Sequence, residues 1–426
     1  MFKKPDNLMI VASRLKWRRP SALAMVLAGV LLAASNLAFG QQKPNSANPA
    51  RSQVQFEKGQ RAVVPFVFED NTIVLQVRVN NSNPMKFFLD TGAGMSVLNV
   101  SKASGLNLKR ADSLNANGVG GTIQGYLAKG ATLSVSGASV TNQPMAILPL
   151  DFPCEAHDVA GIIGYDFINS FVVEIDYDAK TITLSDPASY QYKGPGDLVP
   201  LIITGNTPRV RAKVDPPGGP SLEGLFEIDT GSDGTLTINS PFVKKHALLE
   251  SFKTQFDSTH RGLGGEAKSV DVRMGDFQLG RYVVPSPLVS LSQDSEGSLS
   301  SEINDGPLGN EILRRFRIVI DYSRRRMILE PNSHLSDPIE AGMSGIDFDT
   351  EECRPFKVIK VLENSPAAEA GIKAGDEIVA LDGRPFKEIP SFEMEKLLSK
   401  NGAEYSLTLS RAGKELVVRI KLRRLL

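Results

Sequence analysis

Apolar and polar positions along this chain recur at strand spacing rather than helix spacing. Ile73-Val74-Leu75-Gln76-Val77-Arg78-Val79 finishes in strict alternation, and Met85-Lys86-Phe87-Phe88-Leu89 runs almost unbroken into Asp90. Phe171-Val172-Val173-Glu174-Ile175-Asp176-Tyr177 and Thr181-Ile182-Thr183-Leu184 flank the short turn Asp178-Ala179-Lys180. Successive side chains of a strand face opposite ways, so short apolar runs bounded by turn residues predict strands with at least one buried face. The 37 Gly and 26 Pro supply the turns that many short strands need. Near the C-terminus the pattern changes. Phe356-Lys357-Val358-Ile359-Lys360-Val361 predicts a strand. Ser365-Pro366-Ala367-Ala368-Glu369-Ala370-Gly371 predicts a short helix capped by Ser365, with Pro366 at its first position and Gly371 closing it. Gly375-Asp376-Glu377-Ile378-Val379-Ala380-Leu381 reads as a turn into a strand, Asp382-Gly383 as a hairpin turn, and 391–398 as a second helix.

Four blocks of this pattern occur twice, in the same order and at nearly constant offset. Leu89-Asp90-Thr91-Gly92-Ala93 returns 139 positions later as Ile228-Asp229-Thr230-Gly231-Ser232. Val119-Gly120-Gly121 returns after 144 as Leu263-Gly264-Gly265, and Gly161-Ile162-Ile163-Gly164 after 145 as Gly306-Pro307-Leu308-Gly309. The strand beginning at Phe171 returns after 145 as Phe316-Arg317-Ile318-Val319-Ile320-Asp321-Tyr322. A β-rich lobe has therefore been used twice, at 59–190 and 197–332, with a Pro-, Gly- and Tyr-rich link between the copies and a separate unit at 340–426. Three units suit 426 residues, which are too many for one core.

Basic residues from Lys3 to Arg19, an apolar run from Ala22 to Ala34 and the small-x-small triplet Ala38-Phe39-Gly40 predict a cleavable export signal at 1–40. The apolar run falls short of the roughly 20 residues that span a bilayer. Membrane attachment is expected only if the segment stays uncleaved, and the mature protein is expected in the periplasm or an equivalent extracytoplasmic space. The polar stretch 41–58 reads as a flexible lead-in. The 48 basic and 48 acidic residues cancel, so no net field recommends nucleic acid as a partner. Cys154 and Cys353 fall in different units, and their spacing leaves open whether they pair. Neither they nor His157, His246, His260 and His334 form a metal-ligand or nucleophile motif, so neither metal nor cofactor is expected.

The duplicated acids carry the chemistry. Two carboxyls held together share a proton, because like charges a few Å apart resist joint ionisation; one then activates water while the other polarises a carbonyl. A duplicated lobe brings one Asp from each copy to a pseudo-two-fold axis. Gly92 and Gly231 allow close approach, and the Thr91 and Thr230 hydroxyls are suited to bond across the axis. Asp176 and Asp321 also repeat, but each ends a strand before a turn, which predicts a structural role. Ser232 is suited to hydrogen-bond an ionised Asp229, whereas Ala93 offers Asp90 nothing, which predicts Asp229 as the ionised member.

Asp90-Thr91-Gly92-Ala93-Gly94-Met95-Ser96-Val97 and Asp229-Thr230-Gly231-Ser232-Asp233-Gly234-Thr235-Leu236 resemble the active-site motif of retropepsin-like aspartic proteases, with Gly94 standing where that motif usually carries Asp. Ile162-Ile163-Gly164 and Pro307-Leu308-Gly309 resemble the element that packs behind the catalytic turn in that family. Gly118-Val119-Gly120-Gly121-Thr122-Ile123-Gln124-Gly125-Tyr126 resembles its substrate-covering flap, with a second hairpin around Leu263-Gly264-Gly265. The resemblance implies a mainly β, bilobal pseudo-dimer of β-barrel lobes, an Asp90–Asp229 dyad, a polypeptide substrate, and substrate contacts at Gly120, Gly121, Tyr126, Gly264 and Gly265. The run from Ser365 to Ile378 with Leu381-Asp382-Gly383 resembles a PDZ domain of bacterial exported proteases. That resemblance implies a small α+β domain binding a peptide or protein C-terminus beside Gly345, Ile346 and Phe348. The competing expectation is an inactive protease fold that binds peptides without cutting them.

Overall fold

The structure, a computed structural model, describes residues 31–32, 52–152, 158–340, 342–348, 356–389 and 391–426. Most of the expected export signal and of the lead-in, together with Cys154, Cys353 and His157, lies outside the described residues. Leu31–Leu32 is an extended pair lying antiparallel to Ala116 and Asn117. The lead-in is not flexible to its end. Gln53–Phe56 pairs with residues 138–141 as a strand, and Phe56 sets its ring against Phe171 at 5.7 Å. The alternation of Val54 and Phe56 is a strand signal hidden by the polar composition around it.

Each repeat folds into its own β lobe, and the lobes share a six-stranded sheet. At its centre Val172–Asp176 pairs antiparallel with Phe316–Asp321. Glu174 stands opposite Val319, its own counterpart in the repeat, so the pseudo-two-fold axis passes through this pair. Arg317 reaches across the axis to Glu174 and also to Glu330, at 3.3 Å. Phe87, Phe167 and Phe171 in the first lobe and Phe226, Phe277 and Phe316 in the second are fully buried. Each contributes about 1.5–3 kcal/mol by leaving water. Of the twice-used acids, Asp176 accepts the Ala179 N–H (2.8 Å), while Asp321 holds Ser323 and the guanidiniums of Arg324 and Arg326. Both anchor turns.

Within each lobe the strand that delivers the repeated Asp is flanked in parallel by a later strand. Ile163 lies beside Leu89, and Leu308 beside Ile228. Each lobe also raises a long hairpin. Lys109–Gly118 turns into Gly121–Val135 in the first, and Phe256–Gly262 into Gly265–Arg273 in the second.

The C-terminal unit is a sheet ordered Ile346–Phe348, Phe356–Val361, Glu377–Leu381, Glu404–Arg411 and Lys414–Lys421, closed over its own apolar core. Its turn chemistry follows the sequence. Ser365 accepts the Ala368 N–H (3.3 Å), and Asp382 and Gly383 take positive φ (49° and 78°) in a two-residue hairpin. This unit sits on the root of the second lobe's hairpin. Phe256 packs with Leu362, Leu425 and Leu426, while Arg273 donates to the Ile339 carbonyl (2.6 Å) and pairs with Glu340 (3.4 Å).

Candidate active site

Asp90 and Asp229 arrive at one place by the same construction. Each backbone N–H donates to the neighbouring parallel strand, Asp90 to the Ile163 carbonyl and Asp229 to the Leu308 carbonyl, both at 3.0 Å. The turn that follows curls its own N–H groups back onto the inner carboxyl oxygen. Ala93 donates to Asp90 Oδ1 (2.9 Å), and Gly231 and Ser232 donate to Asp229 Oδ1 (2.9 and 3.1 Å). The turns are then tied crosswise. The Thr91 hydroxyl donates to the Ile228 carbonyl (2.6 Å) and accepts from Thr230 N–H (3.0 Å). The Thr230 hydroxyl donates to the Leu89 carbonyl (2.9 Å) and accepts from Thr91 N–H (3.1 Å).

The glycines are required by proximity. A Cβ on Gly231 would stand 2.5 Å from Asp90 Cγ, and one on Gly92 would stand 2.9 Å from Asp229 Cγ. Behind the turns, Gly164 and Gly309 face the backbone carbonyls of Ala93 and Ser232 just as closely. Asn206 of the second lobe donates to the Gly94 carbonyl (3.2 Å), a cross-lobe tether at the position where the first motif departs from its pattern.

Both carboxyls are buried, at 1% and 0% exposure, and each leaves its Oδ2 without a hydrogen-bond partner in the protein, while the two groups shift one another's ionisation. Burial raises Asp90 to about 7, although the neighbouring Asp229 carboxyl and the Ala93 N–H oppose the rise. Burial first, then the charges of Asp90 and Glu227, hold Asp229 well above the carboxylate range. Both acids are thus pushed toward their neutral forms, and Ser232 does not play the part expected of it. Ser232 reaches Asp229 through its backbone N–H, while its hydroxyl oxygen lies against Gly309. Ala93 gives Asp90 an equivalent backbone bond, so this position does not break the symmetry.

Glu227 breaks it, and the sequence reading passed it over. This buried acid lies two residues before Asp229, where the first lobe carries the apolar Phe88. Its Oε2 accepts from the Thr207 hydroxyl (3.0 Å), from Asn304 Nδ2 (3.0 Å) and from the fully buried Arg209 (3.4 Å). An acid inside an apolar strand leading to the repeated Asp-Thr-Gly turn was the available signal.

The two hairpins meet at their tips. Gly120 N–H donates to the Leu263 carbonyl (3.1 Å), and a Cβ on Gly120 or Gly264 would lie within 2.1 Å of Gly265 or 2.4 Å of Gly121. The tips exchange side chains. Leu263 enters a first-lobe cluster containing Phe88, Ala93 and Val97, and Val119 packs with Ala267 and Leu299 of the second lobe. Tyr126 is not at a tip. It sits lower in the first hairpin, with the Arg110 guanidinium 4.3 Å over its ring. In the C-terminal unit, Ile346–Phe348 forms the edge strand among the described residues. Gly345 adopts φ +75° against Ser365, and Ile346 and Phe348 face inward to the core. Among the described residues no group of three or more His, Cys, Asp or Glu is arranged to hold a metal ion.

Comparison with known sequences matches two parts of the chain. A family model described as aspartyl protease matches residues 75–167, and one described as PDZ domain matches residues 342–422. The periplasmic serine endoproteases DegP of Salmonella typhimurium (strain LT2) and Escherichia coli (strain K12) are each 34% identical over 91 residues, covering 20% of this chain. The match spans 19% of those relatives' own length. Among solved structures, an aspartic proteinase from Irpex lacteus is 15% identical over 65% of this chain and 99% of that chain, with a TM-score of 0.44.

Proposed function

We propose that this chain, which carries an aspartyl protease domain at residues 75–167 and a C-terminal PDZ domain at residues 342–422, is an extracytoplasmic aspartic endopeptidase whose catalytic pair is Asp90 and Asp229. The observation that carries the reading is the joining of two buried, duplicated carboxyls by crosswise threonine bonds at a pseudo-two-fold axis. In this reading Asp90 takes a proton from a water held between the pair. Asp229 donates its proton to the scissile carbonyl as the tetrahedral centre forms. Covalent linkage of the lobes supplies both acids from one chain. The interlocked hairpins exclude water once substrate is enclosed, and they must part to admit it. The PDZ domain binds a peptide or protein C-terminus by strand addition at Ile346–Phe348. A basic and apolar N-terminus, and relatives named for the periplasm, support work outside the cytoplasm.

Closure favours a second reading, in which the protein binds peptides without cutting them, because both carboxyls are buried and the hairpin tips are joined. Purified protein incubated with a diverse peptide pool from about pH 4 to pH 8 separates the two, since shared-proton carboxyls titrate in or below that range. Cleavage is expected, with a loss of roughly 10²–10⁴-fold in Asp90→Asn and in Asp229→Asn while both remain folded. Equal silence of all three proteins would favour the binding role.

A further inference from the structure

We propose that Glu227 is the third acid of the catalytic centre, a positioning residue that fixes the shared proton on Asp229 and leaves Asp90 as the base. The inference rests on the protease reading above and adds to it the origin of the dyad's asymmetry.

The geometry begins with strand periodicity. Residues two apart on a strand share a face, so Leu222–Ile228 turns Glu227 toward the side on which Asp229 follows. The point where a Cβ on Gly92 would stand lies 3.0 Å from Asp229 Oδ1 and 3.1 Å from Glu227 Oε1, so these two oxygens are at most about 6 Å apart. An acid at that distance, away from water, disfavours a second negative charge nearby. The mirror position cannot answer it, because Phe88 is buried among apolar side chains that include Ala93 and Leu263. Two lobes with matching catalytic turns thus place their dyad in an asymmetric field.

Glu227 is expensive to keep. It and Arg209 are both buried, and a buried ion pair is often no more stabilising than apolar side chains of the same volume. The site nevertheless satisfies it with care, using Thr207, Asn304 and Arg209 on one oxygen and leaving Oε1 toward the dyad. Among the described residues, the charged or titratable groups that face it are Arg209, Asp90, Asp229 and Tyr322. Arg209 is the only cation of that set. The carboxyls are therefore more numerous than the charge available to balance them, and protons must be shared among the three. Burial accordingly lifts Glu227 to about 7, against the pull of Arg209. The consequence is an enzyme whose working range lies nearer neutrality than a bare dyad would allow.

The test compares wild type with Glu227→Gln, which keeps the shape and removes the charge. Two readouts are taken: the pH–rate profile of peptide cleavage, and titration of side-chain carboxyl carbons by NMR in protein labelled at Asp and Glu. Removing a neighbouring negative charge lowers the pKa of an acid. Both limbs of the profile are thus expected to move to lower pH by about one unit, and the Asp90 carbon to titrate lower by a similar amount. A variant that is slower at every pH with unmoved limbs and an unmoved Asp90 midpoint would make Glu227 merely structural and overturn the proposal. If the variant does not fold, wild type decides. The Glu227 carbon is expected to titrate in the neutral range with a curve coupled to that of Asp90, and an independent midpoint in the ordinary glutamate range overturns the proposal. Silence of wild type toward peptides defeats the protease reading, yet the carbon titration still reports on Glu227.

Discussion

Thr230 joins the two aspartate turns through both of its hydroxyl roles, donating to the Leu89 carbonyl and accepting from Thr91 N–H. Thr230→Val keeps the shape and removes the oxygen, leaving a donor and an acceptor buried without partners. Each such group costs about 1–3 kcal/mol, so a loss of about 2–4 kcal/mol in unfolding free energy is expected in urea titrations. Thr230→Ser should recover most of it. A Thr230→Val loss within a few tenths of a kcal/mol would mean that the crosswise bonds do not hold the turns together. The paired aspartate turns were legible in sequence because their pattern is local, with Asp, Thr and Gly adjacent in each copy. Glu227 was harder to see because its role depends on Arg209, Thr207 and Asn304, the last of them 77 positions away. Ser232 misled for a related reason. A hydroxyl beside an acid in sequence says nothing of its rotamer, and here packing turned it toward Gly309.

The two hairpins show what an element-level reading captures. Glycine pairs between alternating strands marked both tips, and the pairings Gly118 with Gly121 and Gly262 with Gly265 close them. No local pattern revealed that each tip would lodge in the opposite lobe, since that contact spans the whole repeat. Leu263 is 7% exposed because its side chain enters the first-lobe cluster. Leu263→Ala removes that anchor while keeping the backbone bond to Gly120. Truncating a buried Leu costs about 2–5 kcal/mol, and here most of the cost falls on closure rather than on either lobe's core. Amide exchange of residues 118–121 should therefore quicken by at least about tenfold, with strands such as Phe316–Asp321 unchanged. Uniform acceleration through both lobes would show that Leu263 supports the fold as a whole. No acceleration would show that the tips are held without it. The same gap between local and distant signals explains the lead-in, whose last residues become a strand only because Phe56 meets Phe171, far along the chain.

At the scale of the whole molecule, duplication places acids where two lobes bury them, and this gives the fold a pH signature of its own. Burial raises Asp90 and Glu227 to about 7 and Asp166, behind the first catalytic turn, to about 6. Unfolded, these groups lose their protons near pH 4, so between about pH 4 and pH 7 the native state binds more protons than the unfolded chain. Raising the pH through that window favours unfolding. The stabilisation these acids provide is complete below about pH 4 and gone above about pH 7. The opposite sign belongs to Asp321 and Asp376. Asp321 is held low by Ser323, Arg324 and Arg326 against its burial, and Asp376 by Arg411. Their contribution is present above the ordinary aspartate range and fades as pH falls through it. Together the two sets place maximum stability near pH 4–5, and the melting temperature should fall by several degrees from pH 5 to pH 8. Asp166→Asn provides the internal check. Its carboxyl accepts from the Ser96 N–H and hydroxyl (2.6 and 2.7 Å), bonds that an amide oxygen can also accept, but the variant can no longer titrate. The variant should therefore lose part of the slope between pH 4 and pH 6 and none between pH 7 and pH 8. A melting temperature that stays level or rises from pH 5 to pH 8 would mean that these acids are not buried as neutral groups in solution. The closed arrangement of the two lobes around the dyad would then not be the dominant state of the free protein.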